Sequence, residues 1–453
     1  MTDLYYPLRS LREGHWFKLI CGASFQHLPA VRHLTLAYTL AGADCIDVAA
    51  DPAVILSALD ALQVADELGE EAQDRGFGFR HRPWLMVSLN DGEDPHFRKA
   101  EFDPGLCPAE CPRPCETICP AQAIVFPTAK TTKQEQVSHL GVGETSKIPN
   151  TQSPSRSIQI DLQKPNPKSK ILNPKLVEGF SGVIDQHCYG CGRCLPICPL
   201  QLIYTRSYVF APEAIANLIL PYGIDALEIH TQVGHFADFQ RLWKAIAPWV
   251  DRLKLLAISC PDGEGLIDYL QALHDLITPL PCALVWQTDG RPMSGDIGIG
   301  ATRAAVKLSE KVLAARLPGY VQLAGGTNNH TVAKLKAAGL LKELSVEQKL
   351  QVDRFHVQPS NLAYPSGRAT PNGNDYTEQP STQGYVAGIA YGSYARVLLS
   401  PILEKLEQIS GEVVDANLVS HQNSSLRNLD EFPNLLWEAV ATAHSLVSQL
   451  KSS

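Results

Sequence analysis

One stretch of this 453-residue chain constrains its fold more than any other: Cys188-Tyr-Gly-Cys191-Gly-Arg-Cys194-Leu-Pro-Ile-Cys198-Pro199. The spacing is C-x2-C-x2-C-x3-C-P. Three thiolates at such short intervals wrap three corners of one [4Fe–4S] cubane, and the fourth stands apart. Gly190 and Gly192 let the backbone turn tightly between ligands, and Pro199 ends the loop. A chain with this run must build a small loop-rich pocket around sulfur.

A second, looser copy lies upstream, Cys107-x3-Cys111-x3-Cys115-x3-Cys119-Pro120. The tails align: Cys115-Glu-Thr-Ile-Cys119-Pro-Ala-Gln-Ala-Ile124 against Cys194-Leu-Pro-Ile-Cys198-Pro-Leu-Gln-Leu-Ile203. This internal repeat resembles the bacterial ferredoxins that hold two clusters about a pseudo-two-fold axis, in which the fourth cysteine of each run crosses to the other cluster. The resemblance implies one cluster on Cys107, Cys111, Cys115 and Cys198, and a second on Cys188, Cys191, Cys194 and Cys119. The x3 spacings of the first copy depart from that pattern. They leave open a labile cluster there, a three-iron [3Fe–4S] cluster, or a structural zinc on Cys107–Cys119.

Charged residues make up 19% of the chain and the net charge is −8, which argues against nucleic acid as a main partner. Eight of the 12 cysteines belong to the two runs. The other four, Cys21, Cys45, Cys260 and Cys282, sit singly in apolar segments, where inert buried thiols are the plain expectation. Disulfides are not expected, so the compartment reads as reducing. The first residues lack a signal-peptide core, and no run of 18 apolar residues exists to span a membrane. The expectation is a cytoplasmic protein with no transmembrane segment.

Outside the cysteine block, short apolar strands alternate with amphipathic helix-length segments. Strands are expected at 17–23, 43–50 and 84–90, with helices at 29–40 and 52–73 between them. The alternation stops for the block at 93–206, which contains a polar insert at 127–175 rich in Lys, Gln, Ser, Pro and Asn. It resumes with strands at 224–230, 253–260, 282–288, 320–324 and 385–391 and a helix at 236–247. Eight strands is the count of a (β/α)8 barrel. The expected organisation is barrel units in 1–92, a ferredoxin-like α+β module in 93–206, further barrel units in 207–399, and C-terminal helices in 400–453, at 401–409 and 433–450. An open doubly wound sheet is the alternative.

Barrel chemistry lives at the C-terminal ends of strands. Gly325-Gly326-Thr327-Asn328, with Gly392-Ser393-Tyr394 of the last loop, stands where barrels hold a phosphate or flavin. A turn with a helix cap is the plainer reading. Gly295–Gly300 lacks the order of a dinucleotide loop. Glu228 and His230 share one strand face, either as an inward acid–base pair or as satisfied polar groups at a barrel mouth. No nucleophile–base pair stands out as catalytic.

As a whole, the order of parts resembles the cyanobacterial light-dependent period protein A family. The resemblance is carried by Cys-Gly-Ala-Ser-Phe-Gln at 21–26, Ala-Gly-Ala-Asp-Cys-Ile-Asp-Val-Ala-Ala at 41–50, both cysteine runs, and Gln-Leu-Ala-Gly-Gly-Thr-Asn at 322–328. It implies an iron–sulfur input component of the circadian clock, reporting light-dependent quinone redox state to oscillator and sensor-kinase partners, with quinone itself a candidate ligand. The competing class is an iron–sulfur flavin oxidoreductase with its active site in the barrel.

If both runs bind, iron and acid-labile sulfide should each approach about eight per chain after anaerobic reconstitution. About four of each would leave the first run without a cluster of its own.

Overall fold

The computed structural model describes residues 6–22, 28–92, 98–119, 122–126, 182–184, 187–188, 193–207, 219–290, 298, 300–342, 384–416 and 427–451. Cys191, the 127–175 insert, most of 295–300 and the end of the 21–26 motif lie outside them.

Eight parallel strands close into a barrel. In chain order they are β1 (Trp16–Gly22), β2 (Cys45–Ala49), β3 (Trp84–Asn90), then β8 (Ala226–His230), β9 (Leu255–Cys260), β10 (Ala283–Asp289), β11 (Tyr320–Ala324) and β12 (Gly388–Tyr391). Each pairs with its sequential neighbour, β3 pairs with β8, and β1 pairs with β12 to close the ring. The barrel is therefore the architecture, and the open sheet is excluded. Closure is tight at Gly388, where a Cβ would lie 2.4 Å from the carbonyl oxygen of Trp16.

Strand alternation sorts side chains into two cores. The outward residues, among them Phe17, Leu19, Ile46 and Val87, pack against the surrounding helices. Among these helices are α2 (Leu28–Ala41) and α3 (Pro52–Asp74). The inward residues of the lower half, among them Trp16, Cys45, Met86, Leu255 and Tyr320, form a separate apolar cluster with Leu8 and Leu11. Those two leucines come from α1 (Pro7–Glu13), which plugs the N-terminal end. The last two helices run Ser393–Ala416 and Pro433–Lys451. The first starts at Ser393 and carries Pro401 inside it, so the helix expected at 401–409 is only its middle part. The Gly392-Ser393-Tyr394 loop is thus a helix start.

A polar clasp ties the two ends of the chain together. Lys451 Nζ lies 2.6 Å from Asp44 Oδ2 and 2.7 Å from Ser10 Oγ. The same carboxylate oxygen accepts from Ser10 Oγ at 2.8 Å and from the Phe17 amide at 2.7 Å. Burial pushes Asp44 up to about 6, against the pull of Lys451. Alongside, His15 Nδ1 donates to the Leu450 carbonyl at 2.7 Å. Burial holds its imidazole down to about 4, although that hydrogen bond works the other way.

A histidine kept neutral in the fold stabilises it above the unfolded-state value of 6.5 and loses that contribution as pH falls towards 4. The loss amounts to about 3 kcal/mol. Asp44, shifted upward, acts in the opposite sense over part of the same window. The decisive measurement is therefore the difference in unfolding free energy between the wild type and His15→Asn. That difference should shrink between pH 6.5 and pH 4.

Candidate metal centre

Between β3 and β8 the chain builds a second, smaller unit. Strand β4 (Arg98–Glu101) pairs antiparallel with β7 (Tyr204–Ser207), and β5 (Ile124–Val125) with β6 (Gly182–Val183). First pairs with last, and the inner two form a hairpin joined through 127–181. Two short helices, α4 (Pro114–Ile118) and α5 (Cys194–Ile197), pack together, each carrying a cysteine of one run.

The repeat seen in the sequence is also a repeat of backbone. Gln122 and Gln201, each three residues past the last cysteine of its run, adopt left-handed conformations with φ of 49° and 53°. Each donates its amide to that cysteine's carbonyl at 3.1 Å. This turn folds the following amides back onto sulfur. Ala123 N donates to Cys119 Sγ at 3.2 Å. At Cys198 burial raises the thiol, but the amides of Leu202, Leu200, Ile203 and Gln201 outweigh it and hold the group below the ordinary thiol range. Ala100 N, on β4, donates to Cys188 Sγ at 3.4 Å.

Cys115, Cys188 and Cys194 are buried in a small core with Ala100, Phe102, Ile124 and Ile203, while Cys119 and Cys198 border it. Burial raises Cys107, and its contact with Cys111 raises it further. Burial likewise raises Cys115, and the fields of Cys198 and Cys107 add to the effect. The last cysteine of the second run therefore faces cysteines of the first. Among the described residues, no three His, Cys, Asp or Glu side chains converge as they would on one ion. The ligand sulfurs of a cubane stand farther apart than those around a single ion. Amide-lined thiolates, crowded thiols that burial keeps protonated, and an apolar surround fit an iron–sulfur cluster: its iron would supply the positive charge these sulfurs lack.

The remaining cysteines belong to the barrel. Cys21, Cys45, Cys260 and Cys282 are all buried, and burial pushes Cys21, Cys260 and Cys282 up to about 12, which fits inert thiols.

The module is anchored to the barrel by a buried ion pair. Lys99 of β4 places Nζ 2.9 Å from Asp51 Oδ2, with both side chains 5% or less exposed. Asp51 follows β2, and its other oxygen caps α3 by accepting the Ala53 amide at 2.8 Å. Lys99 is the neighbour of Ala100, so one strand contacts both a candidate ligand and the barrel rim.

Inside the upper barrel lies a polar layer that sequence reading largely missed. Lys18, with no exposure, pairs with Glu228 and with Asp47 Oδ2 at 2.8 Å, and donates to Gln287 Oε1 at 2.9 Å. Gln287 Nε2 donates to Glu228 Oε1 at 2.6 Å. Gln322 Nε2 donates to Gln287 Oε1 at 2.5 Å, and Trp16 Nε1 to Gln322 Oε1 at 2.7 Å. Ser88 Oγ donates to Asp47 Oδ1 at 2.6 Å. Burial lowers Lys18, but Asp47 and Glu228 outweigh it and hold the ammonium charged. Glu228 Oε1 and His230 Nε2 lie 3.2 Å apart. The signal for the rest was a charged residue at an inward position of two apolar strands, Lys18 in 16–22 and Asp47 in 45–49.

At the Gly325–His330 turn the polar side chains bond within the protein, as in the plainer reading of a turn. Thr327 Oγ1 donates to the Ala390 carbonyl at 2.8 Å, Asn328 Nδ2 to that of Gly298 at 2.8 Å, and His330 N to Asn328 Oδ1 at 2.9 Å. Gly326, at φ 78°, passes so near Ala301 that a Cβ would lie 2.6 Å from its carbonyl oxygen.

Removing one member of a buried ion pair leaves the other charge uncompensated. Lys99→Met should therefore cost about 3 kcal/mol, and much of that should be recovered in Lys99→Met/Asp51→Asn. Denaturant unfolding of the four forms in a double-mutant cycle measures the coupling.

Residues 107–140 and 163–209 match the LdpA Fe-S cluster-binding domain, and residues 218–449 match the Light dependent period A C-terminal domain. Over 448 residues the chain is 42% identical to the protein named Light dependent period A from Synechococcus elongatus, an alignment covering 99% of this chain and 94% of that protein. The chain belongs to the light dependent period A family and carries its iron–sulfur cluster-binding domain.

Proposed function

We propose that this protein is a cytoplasmic redox sensor of the circadian clock, and that it reads light-dependent quinone and metabolic redox state through two [4Fe–4S] clusters. In this reading Cys107, Cys111, Cys115 and Cys198 hold one cluster, and Cys188, Cys191, Cys194 and Cys119 the other. The clusters supply one-electron acceptance and release at low energetic cost. The chain does the rest. Amides at Cys119, Cys188 and Cys198 hold sulfur charge in place and set how readily it changes. Oscillator and sensor-kinase components read the resulting shape, without substrate turnover.

The observation that carries this reading is the position of strand β4. Ala100 N donates to Cys188 Sγ, while Lys99 beside it clasps Asp51 on the barrel. A change of charge at that sulfur alters the hydrogen bond of the strand that docks the module, so electronic state and docking are linked through one residue step. The relative's name, Light dependent period A, supports the clock assignment.

A second reading, an iron–sulfur flavin oxidoreductase, is favoured by the polar layer around Lys18 and Glu228 in the barrel. An absorption spectrum of anaerobically purified protein separates the two: clusters alone give a broad shoulder, whereas flavin adds resolved bands.

The sensor reading is tested by limited proteolysis of one sample, oxidised and reduced. Ile124 of β5 shares a core with Cys115, Cys188 and Cys194, and the 127–175 stretch follows directly from that hairpin. Cleavage within 127–175 and partner capture should both differ between the two states. Identical cleavage and binding, or steady dehydrogenase turnover with a quinone, would overturn the reading.

A further inference from the structure

The two cysteine runs repeat each other, but at one position they differ in charge. Cys115 aligns with Cys194, so Arg113, two residues before the third cysteine of the first run, stands where the second run has Gly192. The backbone at Arg113 is left-handed, with φ 54° and ψ 50°. That conformation is uncommon for a residue with a side chain, and more so directly before a proline. The start of α4 holds it there: Glu116 N donates to the Arg113 carbonyl at 3.1 Å. The root of the side chain is thereby fixed between two candidate ligands, Cys111 and Cys115.

Its far end is fixed as well. The guanidinium carbon lies 4.3 Å from the centre of the Phe126 ring. Phe126 meets Phe102 with ring centres 5.8 Å apart. It also packs on the small core that contains Cys115, Cys188 and Cys194 and is bordered by Cys119 and Cys198. The guanidinium is laid against the cysteine module instead of reaching into water. Arg113 is half-buried, and among the described residues no carboxylate pairs with it, although Glu110 and Glu116 stand three positions to either side. Its charge is left uncancelled, and its field reaches Cys107, where it favours the thiolate against burial and Cys111. A long cationic side chain in open water is screened; one stacked on a ring beside the ligands is screened less.

We propose that Arg113, positioned by Phe126, tunes the cluster of the first run and holds it easier to reduce than its ligands alone would make it, which rests on the reading that Cys107, Cys111, Cys115 and Cys198 hold a cluster. Reduction adds one electron there and no proton, so negative charge grows on the ligand sulfurs while the guanidinium stays cationic. A fixed cation beside them favours the reduced form, because local charge is one of the terms that set a cluster's potential. Gly192 brings no such charge to the second run. The two clusters therefore take up electrons at different potentials, and a falling redox poise registers on one before the other.

The test is a dithionite titration of the anaerobically reconstituted protein, followed by EPR. Cys111→Ser identifies the signal of the first run's cluster as the one it diminishes. Arg113→Gln should lower the electron affinity of that cluster about tenfold, about 59 mV for a one-electron couple, and leave the other couple in place. Arg113→Lys keeps the charge without the flat stacking surface and should lose less. Phe126→Leu keeps Arg113 but removes its support and should lower the affinity roughly threefold. Arg193→Gln, at an exposed arginine beside Cys194, is the control and should leave the first couple unchanged. Iron content verifies that each variant is loaded, and where Arg113→Gln fails to hold iron, Arg113→Lys and Phe126→Leu decide. With about eight irons bound, an unchanged potential in Arg113→Gln or Phe126→Leu, or equal shifts in Arg113→Gln and Arg193→Gln, would overturn the proposal and leave the two-cluster reading standing. About four irons in the wild type would overturn that reading and the proposal with it.

Discussion

Lys18 holds the barrel's interior in order. A lysine at an inward position of β1 has no exposure to water and survives only because two carboxylates from different strands meet it. Those carboxylates in turn require Ser88, Gln287 and, through Gln287, Gln322 and Trp16. With Ser259 of β9, which accepts from Gln287 Nε2 at 3.1 Å, seven of the eight barrel strands are tied into one hydrogen-bonded layer, all but β12. An apolar filling could close a barrel equally well, but it would tolerate slippage between strands. A layer of interlocked donors and acceptors does not, because a one-residue shift would turn every one of these groups to the wrong face.

The layer divides the barrel into two unlike halves. Below it, Trp16, Cys45, Met86 and Tyr320 pack against the plug helix as an ordinary core. Above it, His230 and Asp289, two residues further along their strands than Glu228 and Gln287, stand toward the C-terminal end of the barrel. Apolar bulk at one end and polar chemistry at the other is the division of labour that barrels allow, since the bottom carries stability and the top is free to vary.

Much of this was legible in the chain. Strand β3 at 84–90 and strand β11 at 320–324 follow directly from runs of apolar residues between turn signals, and the cysteine repeat announces its own two-fold arrangement. Other features were hidden for physical reasons. The helix at 393–416 includes Pro401, a residue that usually stops helices, so the sequence places its start there and not at Ser393. The left-handed glutamines at 122 and 201 carry no compositional sign, because glutamine is not a residue that favours such turns. The Lys18 network was missed because its members lie in seven separate strands, where each reads as an isolated polar residue. Only the closed ring brings them within hydrogen-bonding reach. Lys99 and Asp51 were invisible for the same reason, being 48 positions apart in unrelated segments.

The chain leaves the barrel at the end of β3 and returns at the start of β8, and these two strands pair with each other directly, from Met86 opposite Ala226 to Asn90 opposite His230. The seam between β3 and β8 needs nothing from the inserted unit to form, since its register is set by the strands themselves. Iron supply and scaffold assembly are thereby separated. A chain synthesised when iron is scarce can still close its ring, bury its core and wait, with only the appended unit incomplete.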